Sequence, residues 1–126
     1  MASGPKLDGA GAAKMETLDE ATIQLQRIHG LVEKMAIAIR SGHETNSFGA
    51  QIRRTGSPLV GKLKGQFGMI ADQVSALMLV ASRGGGEQVK LRAMRECVSQ
   101  IRIQLEIAVT KTKEKHEITA DEPTDA

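Results

Sequence analysis

Residues 17–39 read TLDEATIQLQRIHGLVEKMAIAI, and this stretch decides the fold class. Its apolar residues recur at alternating intervals of three and four, a spacing typical of the seam of a coiled-coil-like helix. They are Leu18, Ala21, Leu25, Ile28, Val32, Met35 and Ile39. Thr17 and Glu20 fit a capping box, and Gly42 fits a left-handed stop. The pattern therefore predicts a first helix that begins near Thr17 and ends near Ser41.

Three further apolar residues of this helix lie off the seam. They are Ile23, Leu31 and Ile37. A helix with apolar residues on two faces is either central in a bundle or packed against another subunit. The sequence therefore predicts a homo-oligomer, with these three residues at the interface between subunits.

The middle of the chain is a second helical stretch with one difficult point. Its apolar pattern runs from about Ser47 to Ala81. Pro58 would cost ~3 kcal/mol inside a helix, but it fits well as the first residue of a new one. Gly65 and Gly68 are a second weak point. Two interpretations stay open, one long helix kinked at Pro58 or two shorter helices, and the second is favoured.

A third helical pattern follows a run of three glycines at positions 84–86. Glycine disfavours the helical conformation, so three in succession predict a break between helices. The third pattern extends from Glu87 to about His116. No segment alternates with a period of two, so no strand is predicted. We therefore expect an all-α fold: an up-down helical bundle of three long helices, or of four if the middle one is split, with disordered termini.

The chain of 126 residues has the length of a single domain. Residues 1–15 lack periodicity and are rich in Gly and Ala, which indicates a disordered N-terminal arm. Residues 119–126 combine Pro123 with clustered acids, which indicates an acidic disordered tail. The helical bundle domain is expected to span residues 16–118.

Charge is distributed unevenly along the chain. Residues 45–113 hold eleven basic and four acidic side chains, whereas residues 114–126 hold five acidic and one basic. A basic body suggests an anionic partner, either nucleic acid or an acidic protein, although an ordinary solvated surface explains the same counts. Guanidinium and ammonium groups bind phosphate oxygens with little sequence preference. The residues predicted to bind nucleic acid are Arg53, Arg54, Lys62, Lys64, Arg92 and Arg95.

Several function classes find no support in the composition. Phe48 and Phe67 are the only aromatic residues, which argues against modules that stack bases on aromatic platforms. The three histidines form no pair at helical spacing with one another or with Cys97, so no metal site is predicted. No carboxylates are spaced as an acid–base pair. We expect a non-enzymatic protein with no catalytic residue, no cofactor and no small-molecule substrate.

The expected location is the cytoplasm. One cysteine cannot form an internal disulfide, and no basic-then-apolar leader is present. No apolar run approaches the ~18 residues of a membrane span, so no membrane partner is expected.

The segment Phe48-Gly49-Ala50-Gln51-Ile52-Arg53-Arg54 resembles the start of the second helix in a bacterial four-helix-bundle family. That family includes the protein encoded in ribosomal-RNA intervening sequences and the accessory variability protein of diversity-generating retroelements. The similarity extends to the apolar helix before this segment and to the basic-apolar helix from Glu87 onward, over residues 18–115. It implies a homo-oligomer, often a pentameric barrel, whose basic surface binds a reverse transcriptase and nucleic acid.

A second segment is similar to another family. Gly61-Lys62-Leu63-Lys64-Gly65 is similar to the His-x-Leu-Lys-Gly segment of histidine phosphotransfer domains, with Gly61 where those domains carry the phosphorylated histidine. This similarity implies at most a degenerate signalling adaptor.

Three hypotheses follow from the sequence. The first is a non-enzymatic helical oligomer that serves as an accessory or adaptor protein, with a basic face for nucleic acid. The second is a purely structural, self-assembling coiled-coil scaffold whose charge only confers solubility. The third is the degenerate phosphotransfer-like adaptor.

Overall fold

The computed structural model describes residues 6–118, and four helices account for most of them. Their bounds are α1 Gly9–Arg40, α2 Asn46–Leu63, α3 Gly68–Ser82 and α4 Glu87–His116. Two-residue strands flank the helices, β1 Lys6–Leu7 and β2 Glu117–Ile118, and they pair antiparallel with Lys6 opposite Ile118.

The helices form an up-down-up-down bundle. Each of α1 and α3 packs against both α2 and α4, so helices adjacent in sequence are adjacent in space. The contacts run antiparallel: Glu33 of α1 meets Arg95 of α4, whereas Lys14, earlier in α1, meets His116 at the end of α4. The predicted all-α bundle is confirmed, in its four-helix form.

The core is built from aliphatic side chains of all four helices. Six of the seven predicted seam residues of α1 are buried, and the seventh, Ile39, packs against the core while half-buried. The other helices contribute fully buried side chains that include Ile52, Leu63, Leu77 and Met94. The heptad-like spacing of α1 therefore marks the inner face of the bundle.

The middle stretch is divided, but not at the proline. Pro58 lies inside α2, and the break falls at residues 64–67, between α2 and α3. The prediction of a new start at Pro58 was wrong. Pro58 and Arg54, whose carbonyl loses its helical partner, both lie on the exposed side of α2, where water can solvate that carbonyl. Of the two exposed glycines, Gly65 lies in this break and Gly68 is the first residue of α3.

The first helix begins eight residues earlier than predicted. Its N-cap is Asp8, whose Oδ1 accepts from the Gly11 amide at 2.7 Å. Thr17 is inside the helix, and its hydroxyl donates to the Ala13 carbonyl. The predicted disordered arm over residues 1–15 is therefore wrong for residues 6–15. The remainder of that arm, residues 1–5, and the predicted acidic tail, residues 119–126, lie outside the described residues.

A contact that the sequence does not reveal explains the earlier start. The end of α4 runs beside the start of α1, where Gly11 is buried against His116. His116 Nδ1 lies 3.1 Å from Asp8 Oδ1, and its Nε2 lies 3.1 Å from Lys14 Nζ. The Gly11 amide and the His116 ring both stabilise the Asp8 carboxylate, so the pKa of Asp8 is lowered. This end of the bundle is thus fixed by specific polar contacts.

Candidate nucleic-acid interface

A groove runs along the outside of the bundle between α1 and α2. It consists of two adjoining cavities of about 240 and 470 Å³. Arg27, Arg54 and Thr55 line both of them, so the two cavities meet at these residues and lie end to end along one channel. We name this channel the basic groove, after the four charged residues that line it: Arg27, Lys34, Arg54 and Lys62.

Every charged side chain that lines the basic groove is a cation. Lys62 pairs with Glu20 at one end of it. The other three cations, Arg27, Lys34 and Arg54, are exposed, and none forms an ion pair with a carboxylate in the part of the chain that the structure describes. Three unpaired cations beside one channel give it a positive potential that favours an anionic ligand.

Helical spacing places these cations in two facing walls. Arg27 and Lys34 are seven residues apart and so lie on one edge of α1. Arg54 and Lys62, about two turns apart, lie on the facing edge of α2. Residues 46–63 contain no Asp or Glu, so α2 brings no carboxylate to the groove. The wall of α2 is therefore uniformly basic.

The remaining lining suits a backbone ligand rather than a stacked base. Gln24, Gln51 and Thr55 contribute amide and hydroxyl groups, and Thr55 donates to the Gln51 carbonyl at 3.1 Å. No aromatic side chain lines the groove, since Phe48 and Phe67 pack against the core. Contacts to phosphate and sugar are what such a surface provides.

The structure brings together two of the six residues predicted to bind nucleic acid. Arg54 and Lys62 lie in the basic groove. Arg53 is on the opposite edge of α2, where its Nη1 donates to Ser82 Oγ at 3.2 Å. Lys64 follows the end of α2. The six residues therefore do not share one face.

The other two predicted residues lie on α4. Arg92 is exposed there, whereas Arg95 places Nε 3.0 Å and Nη2 2.7 Å from the two carboxylate oxygens of Glu33. This fork lowers the pKa of Glu33 and raises that of Arg95. Because its guanidinium is already occupied by a carboxylate, Arg95 is a poor phosphate ligand.

Two groove residues, Arg27 and Lys34, were missed in the sequence. They belong to α1, whose sequence is dominated by its apolar seam, and they precede the basic stretch that begins after position 45. Their separation of one heptad was the available signal, since it places both on one side of the helix. Which neighbouring helix this side faces depends on the packing of the helices, so the spacing alone could not show that it faces the basic wall of α2.

A second groove, between α1 and α4, has a different character. Its cavity of about 410 Å³ is floored by Leu25, Leu105 and Val109. The charged residues that line it are Arg102 and Glu106, one of each sign. This surface offers little net attraction to an anion.

The predicted interface residues divide between surface and core. Ile23 and Ile37 are 51% and 53% exposed on α1, but Leu31 is half-buried and packs against the core. Other exposed large apolar residues are Met69 and Leu79 on α3 and Val89, Ile103 and Ile107 on α4. The two isoleucines of α1 are thus available to a partner, and Leu31 much less so.

Neither a metal centre nor a reactive thiol is evident in residues 6–118. No three His, Cys, Asp or Glu side chains there are grouped to hold a metal ion. Cys97 is half-buried, and burial raises the pKa of its thiol, so its reactive thiolate form is disfavoured. None of the described helices is both long and apolar enough to cross a membrane.

Comparison with known proteins gives no relative. No protein-family model matches the chain, and neither does any curated protein or solved structure. The basic groove is therefore the feature from which a function is inferred.

Proposed function

We propose that this protein is a non-catalytic accessory protein that binds nucleic acid through the basic groove. The observation that carries the proposal is the uniform sign of the groove: four cations line it, no carboxylate does, and three of the four lack an ion-pair partner among the described residues. The cavity between α1 and α4 differs in this respect, since Arg102 and Glu106 both line it.

Nucleic acid fits this groove better than an acidic protein. Phosphates recur at regular short intervals along a strand, so one strand reaches cations on both walls along the whole channel. An acidic polypeptide spaces its carboxylates irregularly and needs apolar anchors as well. The groove has little to offer such anchors, since among residues 6–118 only Leu31, Pro58 and Leu59, besides Gly30, are apolar residues that line it.

A protein partner belongs to the same proposal. The large apolar side chains exposed on α3 and α4 lie on helices that do not line the basic groove, so a partner bound there leaves the groove to nucleic acid. By the resemblance described above, that partner is a reverse transcriptase, and the protein is a homo-oligomer. Ile23 and Ile37 lie on the same face of α1 as Arg27 and Lys34, so self-association through these two isoleucines would compete with nucleic acid for the groove.

The test of nucleic-acid binding is a salt-titrated polarisation assay with a labelled oligonucleotide of mixed sequence. The groove variant is Arg27→Gln, Lys34→Gln and Arg54→Gln. The matched control is Arg92→Gln, Arg102→Gln and Lys111→Gln, which removes the same charge from exposed positions of α4. Thermal melting checks that both variants fold.

We expect the wild type to lose affinity linearly on a log–log salt plot, with a slope of about −2 to −4 for three or four neutralised phosphates. The groove variant should bind at least ~10-fold more weakly with a flatter slope, and the control should change by less than ~3-fold. Equal losses in both variants would show that only net charge matters. No binding at low salt, or equal competition by polyglutamate, would contradict nucleic-acid recognition.

A second candidate function is self-assembly without a nucleic acid, favoured by the half-exposed Ile23 and Ile37. Light scattering of the wild type, the variant Ile23→Ser with Ile37→Ser, and the control Ile103→Ser with Ile107→Ser tests it. The candidate predicts an oligomer that only the α1 variant dissociates. A wild type that remains monomeric at high concentration would remove it.

A further inference from the structure

We propose that the ligand of the basic groove is a single nucleic-acid strand that lies lengthwise along α1 and α2, spans about six nucleotides and is held by its phosphates. This inference rests on the proposed function and specifies its ligand. Three properties of the groove support this inference: the spacing of its cations along the bundle axis, the presence of cations on both walls, and the lack of a side chain at Gly30 between two of the cations.

The cations form three levels along the bundle axis. Lys62 donates to one oxygen of Glu20 and keeps two further N–H donors for a phosphate, Arg54 lines the same two cavities as Arg27, and Lys34 lies farther along α1. Seven residues of α1 separate each level from the next, which is about 10 Å at 1.5 Å per residue. A stacked strand advances about 3.4 Å per nucleotide, so each level meets roughly every third phosphate.

The three levels together span about 21 Å, or roughly six nucleotides. Axes of packed helices lie about 8–10 Å apart, so the channel between their outer edges is narrow. A single strand placed in it lies between the α1 cations and the α2 cations and contacts both. A duplex is a stiff rod whose backbones lie on its outside, and it would rest on the helices without entering the channel.

Gly30 keeps the channel open between two of the levels. It lines the larger cavity between Arg27 and Lys34, and nothing lies within 4 Å of the position where a Cβ would stand. A side chain there would project beside the channel, in the path of a strand that runs from one level to the next. An isolated anion bound at a single level would not pass this point.

The nucleotide bases have no platform in the groove, since no aromatic residue lines it. They therefore face solvent, and affinity depends little on base identity. This differs from single-strand modules in which each base stacks on an aromatic ring.

The sharpest test leaves the charge unchanged. Gly30→Leu obstructs the channel, and Gly61→Leu is the control, because Gly61 is also an exposed helical glycine with open space around it but lies outside the groove. Both substitutions replace a poor helix former with a good one, so neither should lower the melting temperature. A loss of binding in the first variant therefore cannot come from unfolding.

The ligands are oligothymidylates of 3, 6 and 12 nucleotides, an oligoadenylate of 12, and a 12-base-pair duplex. We expect affinity to rise up to about six nucleotides and then level off, with the duplex at least ~10-fold weaker than the single strand of equal length. Gly30→Leu should weaken single-strand binding ~5-fold or more, and Gly61→Leu by less than ~2-fold. The two base compositions should agree within ~3-fold.

The inference is overturned by a duplex that binds as tightly as the single strand, by affinity that keeps rising with total charge, or by a Gly30→Leu variant that binds like the wild type. Its failure is separable from that of the proposed function. If the triple groove variant loses binding while these ligands show no strand or length preference, only the single-strand ligand is wrong. If no oligonucleotide binds, both fail.

Discussion

The two grooves that flank α1 differ in electrical character: one is basic and the other carries one charge of each sign. Between α1 and α2 the lining charges are Arg27, Lys34, Arg54 and Lys62, all positive. Between α1 and α4 they are Arg102 and Glu106, and farther along the same seam Glu33 is held by Arg95. The chain carries a formal charge of only +2, so the positive surface arises here from how charges are distributed between the two grooves rather than from their sum.

This distribution of charge has a simple origin in the two neighbours of α1. Residues 46–63 contain no acidic residue, whereas α4 carries Glu87, Glu96, Glu106 and Glu114. Helix α1 itself presents Arg27 and Lys34 on one edge and Glu33 on the other. The edge of α1 with Arg27 and Lys34 therefore faces the basic helix α2, whereas the edge with Glu33 faces α4, where Arg95 neutralises it.

The largest effect should come from placing a carboxylate in the basic groove. Gln51→Glu introduces one among Arg27, Lys34 and Arg54, which line the same cavity. We expect oligonucleotide affinity to fall by at least ~10-fold, about 1.4 kcal/mol, because the new charge both pairs with cations and repels phosphate. Polarisation titration measures it. Gln104→Glu, at a half-buried position of α4, makes the same charge change as a control and should cost less than ~3-fold.

The reverse experiment should make the α1–α4 groove more like the basic groove. Glu106→Gln leaves Arg102 as the only charged residue that lines this cavity. We expect oligonucleotide affinity to rise only about twofold, because this cavity would then present one cation where the basic groove presents four. Glu114→Gln removes the same charge nearer the end of α4. An equal gain in that variant would mean that the cavity is irrelevant.

Ion pairs of the two seams should contribute little to stability. Arg95→Gln removes the forked pair with Glu33, and Lys62→Gln removes the pair with Glu20. Both pairs are roughly half-exposed, so each substitution should lower the melting temperature by no more than about 4 °C. The forked pair should account for the larger share. A larger loss in Lys62→Gln would show that the end of the basic groove is structurally important.

The smallest effect concerns pH. The Arg95 hydrogen bonds lower the pKa of Glu33 below its ordinary value of about 4.3. The stability that this carboxylate contributes is present above that ordinary value and is lost as pH falls through the lowered pKa. Melting temperatures from pH 6 to pH 3 should therefore fall slightly more in the wild type than in Arg95→Gln. Parallel curves would mean that the pair has no effect in solution.

Much of the fold could be predicted from the sequence because periodicity is a local property. The three-and-four spacing from Leu18 to Met35 is enough to identify the buried face of α1, and the glycine run at 84–86 marks a real break. The start of α1 at Gly9 depends on a contact with His116, more than one hundred residues away. The continuity of α2 through Pro58 depends on which side of the helix faces water. Neither the start of α1 nor the continuity of α2 can therefore be predicted from the residues next to it in the sequence.

The candidate site was predictable only in part, for the same reason. Arg54 and Lys62 were identified because they lie in an acid-free segment. Arg27 and Lys34 join them only when α1 and α2 pack antiparallel with these edges facing. Arg95 is removed from the set by a carboxylate 62 residues earlier in the chain. Charge counts along a sequence cannot distinguish a cation that is available from one that is already paired.

The pairing of Lys6 with Ile118 has a consequence for where the chain can be opened. It brings the two ends of the described chain together, while the exposed loop at Gly85 separates α3 from α4. A circular permutant opened at Gly85, with a short linker between Ile118 and Lys6, would keep every helix and turn α4 and α1 into a sequence-local hairpin. Contacts between α1 and α4 would become more local, whereas contacts between α3 and α4 would become long-range in exchange. Contact order therefore changes little, which predicts that the permutant refolds at about the rate of the parent chain.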